Sequence, residues 1–226
     1  MIRQRGNILF LILLAVVLFA ALSYAVTQGT RGGGNSAQNE NYSLMASNIL
    51  QQGSLLENTI NRLKLVNGCS ETDIDFSNAG NTGYTHSGGT PDKCKLFDPA
   101  GGNIPYRKVE TIINHKGDAF TYDHFFAMSP VATIGTTCAT SACSDLLWMI
   151  EPPATMDRAA LCAAYNKQAL GYSSVPIASA PLPGVPKFDG TYTYTLTASL
   201  IDNARTGCYL HNSNGRYFIY YILMAR

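Results

Sequence analysis

The chain has 226 residues, a formal net charge of +1 and only 14% charged residues. That length holds one sizeable domain or two small ones behind an N-terminal segment. The weak charge excludes both a basic stripe for nucleic acid and an acidic solvating tail.

Six cysteines, all after residue 68, suit an oxidising compartment such as the periplasm or cell exterior. None falls in a C-x-x-C, which argues against zinc and thioredoxin-like redox chemistry. Abundant Tyr (13) and Gly (20) beside scarce Lys and Glu fit a secreted, β-rich domain.

The first element is Ile8 to Val26, ILFLILLAVVLFAALSYAV, uncharged throughout and preceded by Arg3 and Arg5. About 20 apolar helical residues at ~1.5 Å each span the ~30 Å bilayer core. The chain therefore meets a membrane first, and the rest is expected on its far side. Three fates are open. As a signal peptide, the segment is cut after Ala25, with Ser23 and Ala25 as the small residues at −3 and −1. As a signal anchor it is kept, with the N-terminus in the cytoplasm because the arginines precede it.

The third fate rests on a resemblance. Arg3-Gln4-Arg5-Gly6, then Asn7, then the unbroken apolar run resemble the leader and stem of type IV pilins and pseudopilins. The resemblance implies a bacterial host and a prepilin peptidase cutting after Gly6 on the cytoplasmic side. Asn7 becomes the new N-terminus, usually methylated, and the apolar helix joins the packed core of a filament. That family mostly has Phe or Met as first mature residue and Glu as fifth; this chain has Asn7 and Leu11. The glutamate neutralises a neighbouring subunit's terminal amine, and an unpaired buried charge costs several kcal/mol. Minor pseudopilins at filament tips lack it, so the resemblance implies a minor or tip subunit. Its partners are other pilin or pseudopilin subunits, the inner membrane before assembly, and the peptidase. Interhelical contact would run through Leu11, Leu14, Ala15, Ala20 and Ala21.

Thr27 to Ser36, TQGTRGGGNS, should break regular helix, since each Gly costs about 1 kcal/mol relative to Ala. From Ala37 to Val66, the residues Tyr42, Met45, Ile49, Leu56, Ile60 and Leu63 recur at helical steps, passing through Gln52 and Gly53. Ser36 is the expected N-cap and Asn67-Gly68 the stop. The expected division is leader 1–6, apolar helix 7–28, Gly-rich break 29–36, amphipathic helix 37–66 and extracytoplasmic domain 67–226.

Cys69 to Gly102 reads as loop, punctuated by Gly-Gly, Thr-Pro and Asp-Pro. Cys69 and Cys94 bracket most of it and are paired on that ground. Lys108 to Met128 reads as a β-hairpin turning at His115-Lys116-Gly117-Asp118. Cys138 and Cys143 would close a small local loop. Leu146 to Glu151 reads as a buried strand stopped by Pro152-Pro153, and Met156 to Leu170 as a helix capped by Thr155 and ended by Gly171. Leu161 and Leu170 should face inward. Ser173 to Gly190 reads as an extended connector. Thr191 to Arg226 reads as three antiparallel strands, with Asn214-Gly215 as a hairpin turn and Arg216 to Met224 as a central strand. Cys208 would join this meander to Cys162 on the helix. Six cysteines allow fifteen pairings, so these three rest on proximity.

His115, Asp118, Asp123 and His124 are the residue types a metal or general base needs. A turn accounts for His115 and Asp118, and adjacent strand residues Asp123 and His124 face opposite ways. His86 and His211 lie in separate loops. No G-x-S-x-G, H-E-x-x-H or Walker loop occurs, and Gly32-Gly33-Gly34 lacks a following Lys-Ser/Thr. No enzyme activity, metal or small-molecule cofactor is expected. Tyr84, Tyr106, Tyr122 and Tyr172 in or near loops offer a surface-binding patch, the basis of a second reading as a secreted or anchored adhesin-type domain. The fold expected is α+β and pilin-like: a long N-terminal transmembrane and amphipathic helix, then a disulfide-stapled domain with an antiparallel sheet. Its place is the inner membrane, single-pass, with the domain periplasmic or extracellular, or in a filament.

Overall fold

A computed structural model of the chain describes residues 7–31, 33–80, 82–115, 124–129, 144–178, 187–191 and 204–226. It divides into two compact units, Met1–Asn41 and Tyr42–Arg226.

The first unit holds α1 (Asn7–Arg31) and the start of α2 (Gly33–Leu65). Of the break expected over 29–36, residues 29–31 and 33–36 are helical, and Gly32 lies outside the described residues. The three glycines of this stretch that are helical, Gly29, Gly33 and Gly34, cost about 3 kcal/mol relative to Ala. Interrupting the helix over the whole stretch would leave more backbone groups unpaired at two helix ends and require a second costly nucleation. Ser36 consequently lies inside α2 and is not its cap.

In the second unit α2 presents one apolar stripe. Tyr42, Met45, Ala46, Ile49, Leu56, Ile60 and Leu63 are all buried, as are Gln52 and Gly53 where the stripe steps. The stripe covers one face of a five-stranded sheet. Its strands are β1 (Phe125–Ser129), β2 (Asp145–Ile150), β3 (Ile177–Ala178), β4 (Thr206–His211) and β5 (Tyr217–Met224), in the order β1-β2-β5-β4-β3. All neighbours are antiparallel except β3 and β4. Alternation sorts the side chains. Phe126, Met128, Leu146, Trp148, Ile150, Cys208, Ile219 and Leu223 join the helices in one core. Phe125, Ala127, Leu147, Met149, Tyr209, Phe218, Tyr220 and Ile222 form a second, buried on the opposite face. Burial on both faces is why β5 reads apolar without alternation, and it lies in the middle of the sheet.

The other long helix of the domain, α4 (Arg158–Leu170), packs on β4 and β5. Its cap is Asp157, whose side chain accepts from Ala160 N, and not Thr155. An ionised Asp also complements the helix dipole, which a Thr hydroxyl does not. Gly171, at φ 82°, adopts the left-handed conformation that closes the helix. Leu161 is buried, whereas Leu170 is only half-buried.

The hairpin expected over Lys108–Met128 is corrected. Its first arm is a short helix, α3 (Val109–Ile112), and among the described residues the strand runs from Phe125. Val109, Ile112 and Ile113 are buried at helical spacing, so packing overrides their β-branched preference. Gly117 and Asp118 of the expected turn lie outside the described residues, as does the first strand expected after Thr191.

Cys69 is bonded to Cys94 and Cys162 to Cys208, while Cys138 and Cys143 lie outside the described residues. The first bond closes a segment that reads as plain loop yet buries Ile74, Phe76, Tyr84 and Leu96 completely. Phe76 stacks on Phe126 of β1 with ring centres 4.0 Å apart. The result is an α+β protein with a long N-terminal helix, a mostly antiparallel sheet and two disulfides. Those disulfides point to an extracytoplasmic domain.

Candidate assembly helix

No proline interrupts α1, and its Leu, Ala, Ile, Val and Phe residues give it no polar face. Every side chain from residue 10 to 25 is exposed, from Leu14 at 47% to Phe19 at 76%. Burying a Leu, Val, Ile or Phe is worth about 1.5–3 kcal/mol each. A helix apolar all round is one built to be surrounded, by protein or by lipid.

Among the described residues no helix is long and apolar enough to cross a membrane. The part of α1 whose side chains are described, residues 10–25, rises about 24 Å, short of the ~30 Å core. The transmembrane reading therefore stays with the sequence of Ile8–Val26.

At about 100° per residue, Leu11, Leu14, Ala15 and Ala21 fall within an arc of roughly 120°. Ala20 points the opposite way. Four of the five expected contact residues thus form one seam along α1. Asn7 begins the helix, while Gly6 lies outside the described residues. The alternative processing site, Ser23-Tyr24-Ala25, is helical, and the helix continues to Arg31.

The histidines divide differently. His124 is buried beside Trp148, whose Nε1 donates to His124 Nδ1 at 2.8 Å. Its Nε2 lies 2.6 Å from the carbonyl of Arg107, so Nε2 carries the proton and the ring is neutral. Tyr84 hydroxyl donates to the His124 carbonyl at 3.2 Å and accepts from Phe126 N at 3.0 Å. This network ties the 82–107 segment to β1 and β2, which is a structural task. His115 lies elsewhere, 3.5 Å from Thr155 Oγ1. Asp118 and Asp123 lie outside the described residues. His211 Nδ1 accepts from Ser213 N in the hairpin turn, and His86 is buried edge-on to Phe188. Among the described residues no cluster of His, Cys, Asp or Glu could hold a metal ion.

The tyrosine patch is corrected as well. Tyr84 is fully buried, and burial pushes its phenol well above the ordinary range. Tyr106 is half-buried against Phe97 and the His124 ring. Tyr172 is exposed, and Tyr122 lies outside the described residues. A loop tyrosine can be core whenever a disulfide folds its loop inward.

Sequence reasoning missed the anchor around Glu151. This buried carboxylate ends β2 and takes Arg216 through Nε at 2.7 Å and through Nη2, with Arg158 at 3.3 Å. The partners come from distant positions, and no local spacing marks them. Comparison with known protein families, characterised proteins and solved structures gives no match.

Proposed function

We propose that the chain is a structural subunit, minor or at the tip, of a type IV pilus or secretion pseudopilus-like filament. The observation that carries this reading is α1, exposed and apolar on every side ahead of an oxidised domain. Gly6 and Asn7 are the processing site, and the helix waits in the inner membrane with its N-terminus cytoplasmic. Transfer from lipid into a bundle of like helices exchanges one apolar surrounding for another. The association then depends on close packing, which the seam of Leu11, Leu14, Ala15 and Ala21 supplies. Leu11, in place of a glutamate, gives no charge to pair with a neighbour's terminal amine, which suits a subunit placed rarely. No catalytic role is assigned to any residue.

The test is the intact mass and N-terminal sequence of the mature protein from its native host. A start at Asn7 with an added methyl group is expected. A start at Val26 sinks the reading and leaves the second one, a binding domain released after Ala25. The small residues Ser23 and Ala25 favour that alternative. Against it stands the helix running through them, since proteases take their substrates in extended form.

A further inference from the structure

A cleft of about 620 Å³ opens between the outer side of α2 and the segment around α3. Its size is that of a small-molecule site. Four carboxamides line it, those of Asn48, Gln51, Gln52 and Asn114, together with the guanidinium-bearing Arg107. No carboxylate lines it among the described residues. Gln52 stands out because it is 5% exposed, makes no side-chain hydrogen bond among the described residues and lines the cleft. Its amide is not among the sealed, partnerless polar groups, so what little of the residue is open faces this cleft and is available to a ligand. Arg107 likewise has no ion pair among the described residues.

We propose that this cleft binds a short oligosaccharide bearing a carboxylate. A carboxamide both donates and accepts, and so does a sugar hydroxyl, so four such groups match an array of ring hydroxyls. The unpaired Arg107 matches one carboxylate in the bidentate manner of guanidinium groups. Leu55 and Ile112 give a small apolar wall for the C–H side of a ring. The cleft has no aromatic platform for a nucleic-acid base. This assignment does not depend on whether the chain enters a filament.

The test is calorimetric titration of the full chain in detergent micelles with trigalacturonate, its neutral methyl ester and a hyaluronan tetrasaccharide. At least one acidic saccharide should bind, and the ester should bind about tenfold more weakly than its acid. Arg107→Gln, an exposed change, should remove that preference. Gln52→Leu should weaken acid and ester alike by about tenfold, because it removes one donor and acceptor from the cleft while keeping the helix stripe filled. The assignment is overturned if neither acidic saccharide binds at about 10 mM. It is equally overturned if both variants bind like the parent, or if triglutamate, an acidic peptide of similar length, binds as tightly as trigalacturonate.

Discussion

Tyr221 of β5 lies so close over Gly53 of α2 that a β-carbon there would sit 2.4 Å from the tyrosine Cδ2. The absent side chain sets how near the helix comes to the sheet. Gly53→Ala gains about 1 kcal/mol of helix propensity but forces an overpacked core, which typically costs 1–3 kcal/mol. The variant should be the less stable one in urea unfolding. Equal or greater stability would mean that Tyr221 swings aside freely.

Glu151, with its side chain 3% exposed, holds the end of β2 to Arg216 and Arg158, whose side chains are 31% and 21% exposed. Glu151→Ala leaves two partly solvated guanidinium groups without their carboxylate and should cost about 1–3 kcal/mol. Replacing Glu151 by Leu together with Arg216 by Met should cost less, because only the partly exposed Arg158 is then left without its carboxylate. A double-mutant cycle by chemical unfolding measures the difference, and additive losses would contradict a coupled pair.

Alkaline pH tests the buried phenols. Burial raises Tyr84, Tyr165 and Tyr209 well above the ordinary value of 10, and burial with Glu57 pushes Tyr221 up to about 12. The folded state thus keeps protons that the unfolded state releases near pH 10. Their contribution to stability is full below pH 10 and is lost as pH rises toward the folded values. Absorbance titration of phenolate should show Tyr84, Tyr165 and Tyr209 ionising only together with loss of circular dichroism, with the half-buried Tyr221 ionising near pH 12. Complete, reversible ionisation near pH 10 with the fold intact would contradict their burial.

Leu14→Glu places a charge on the seam of α1, in the unit that precedes Tyr42–Arg226 in the chain. The domain should fold and oxidise as before, while self-association through α1 is lost. Crosslinking in membranes of the native host, beside a thiol count on the exported protein, reads both effects. Unchanged crosslinking would remove α1 as the assembly element.

Much of this architecture is legible in the residues. The α2 stripe, the strand at Leu146–Ile150, the Asn214-Gly215 turn and the two-sided β5 each follow from local periodicity or turn chemistry. The misread parts share a cause: tertiary packing decides them. Val109, Ile112 and Ile113 have strand-forming side chains, yet their i, i+3, i+4 spacing puts all three inward on a helical turn. Tyr84 looks like a surface tyrosine until the Cys69–Cys94 segment folds it beneath Lys187 and against Phe126. Gln52 is visible as a polar interruption in an apolar stripe, but its lack of a partner appears only in three dimensions.

The two disulfides also impose an order in time. Cys69 and Cys94 are 25 residues apart and precede every strand, so this clasp can close while the sheet does not yet exist. Cys162 must wait for Cys208, which arrives with β4, near the end of the chain. Delivered N-terminus first, the domain would hold one early fastening and one late one. The late bond would then act as a completion mark, formed only once the strands on which everything packs have been handed over.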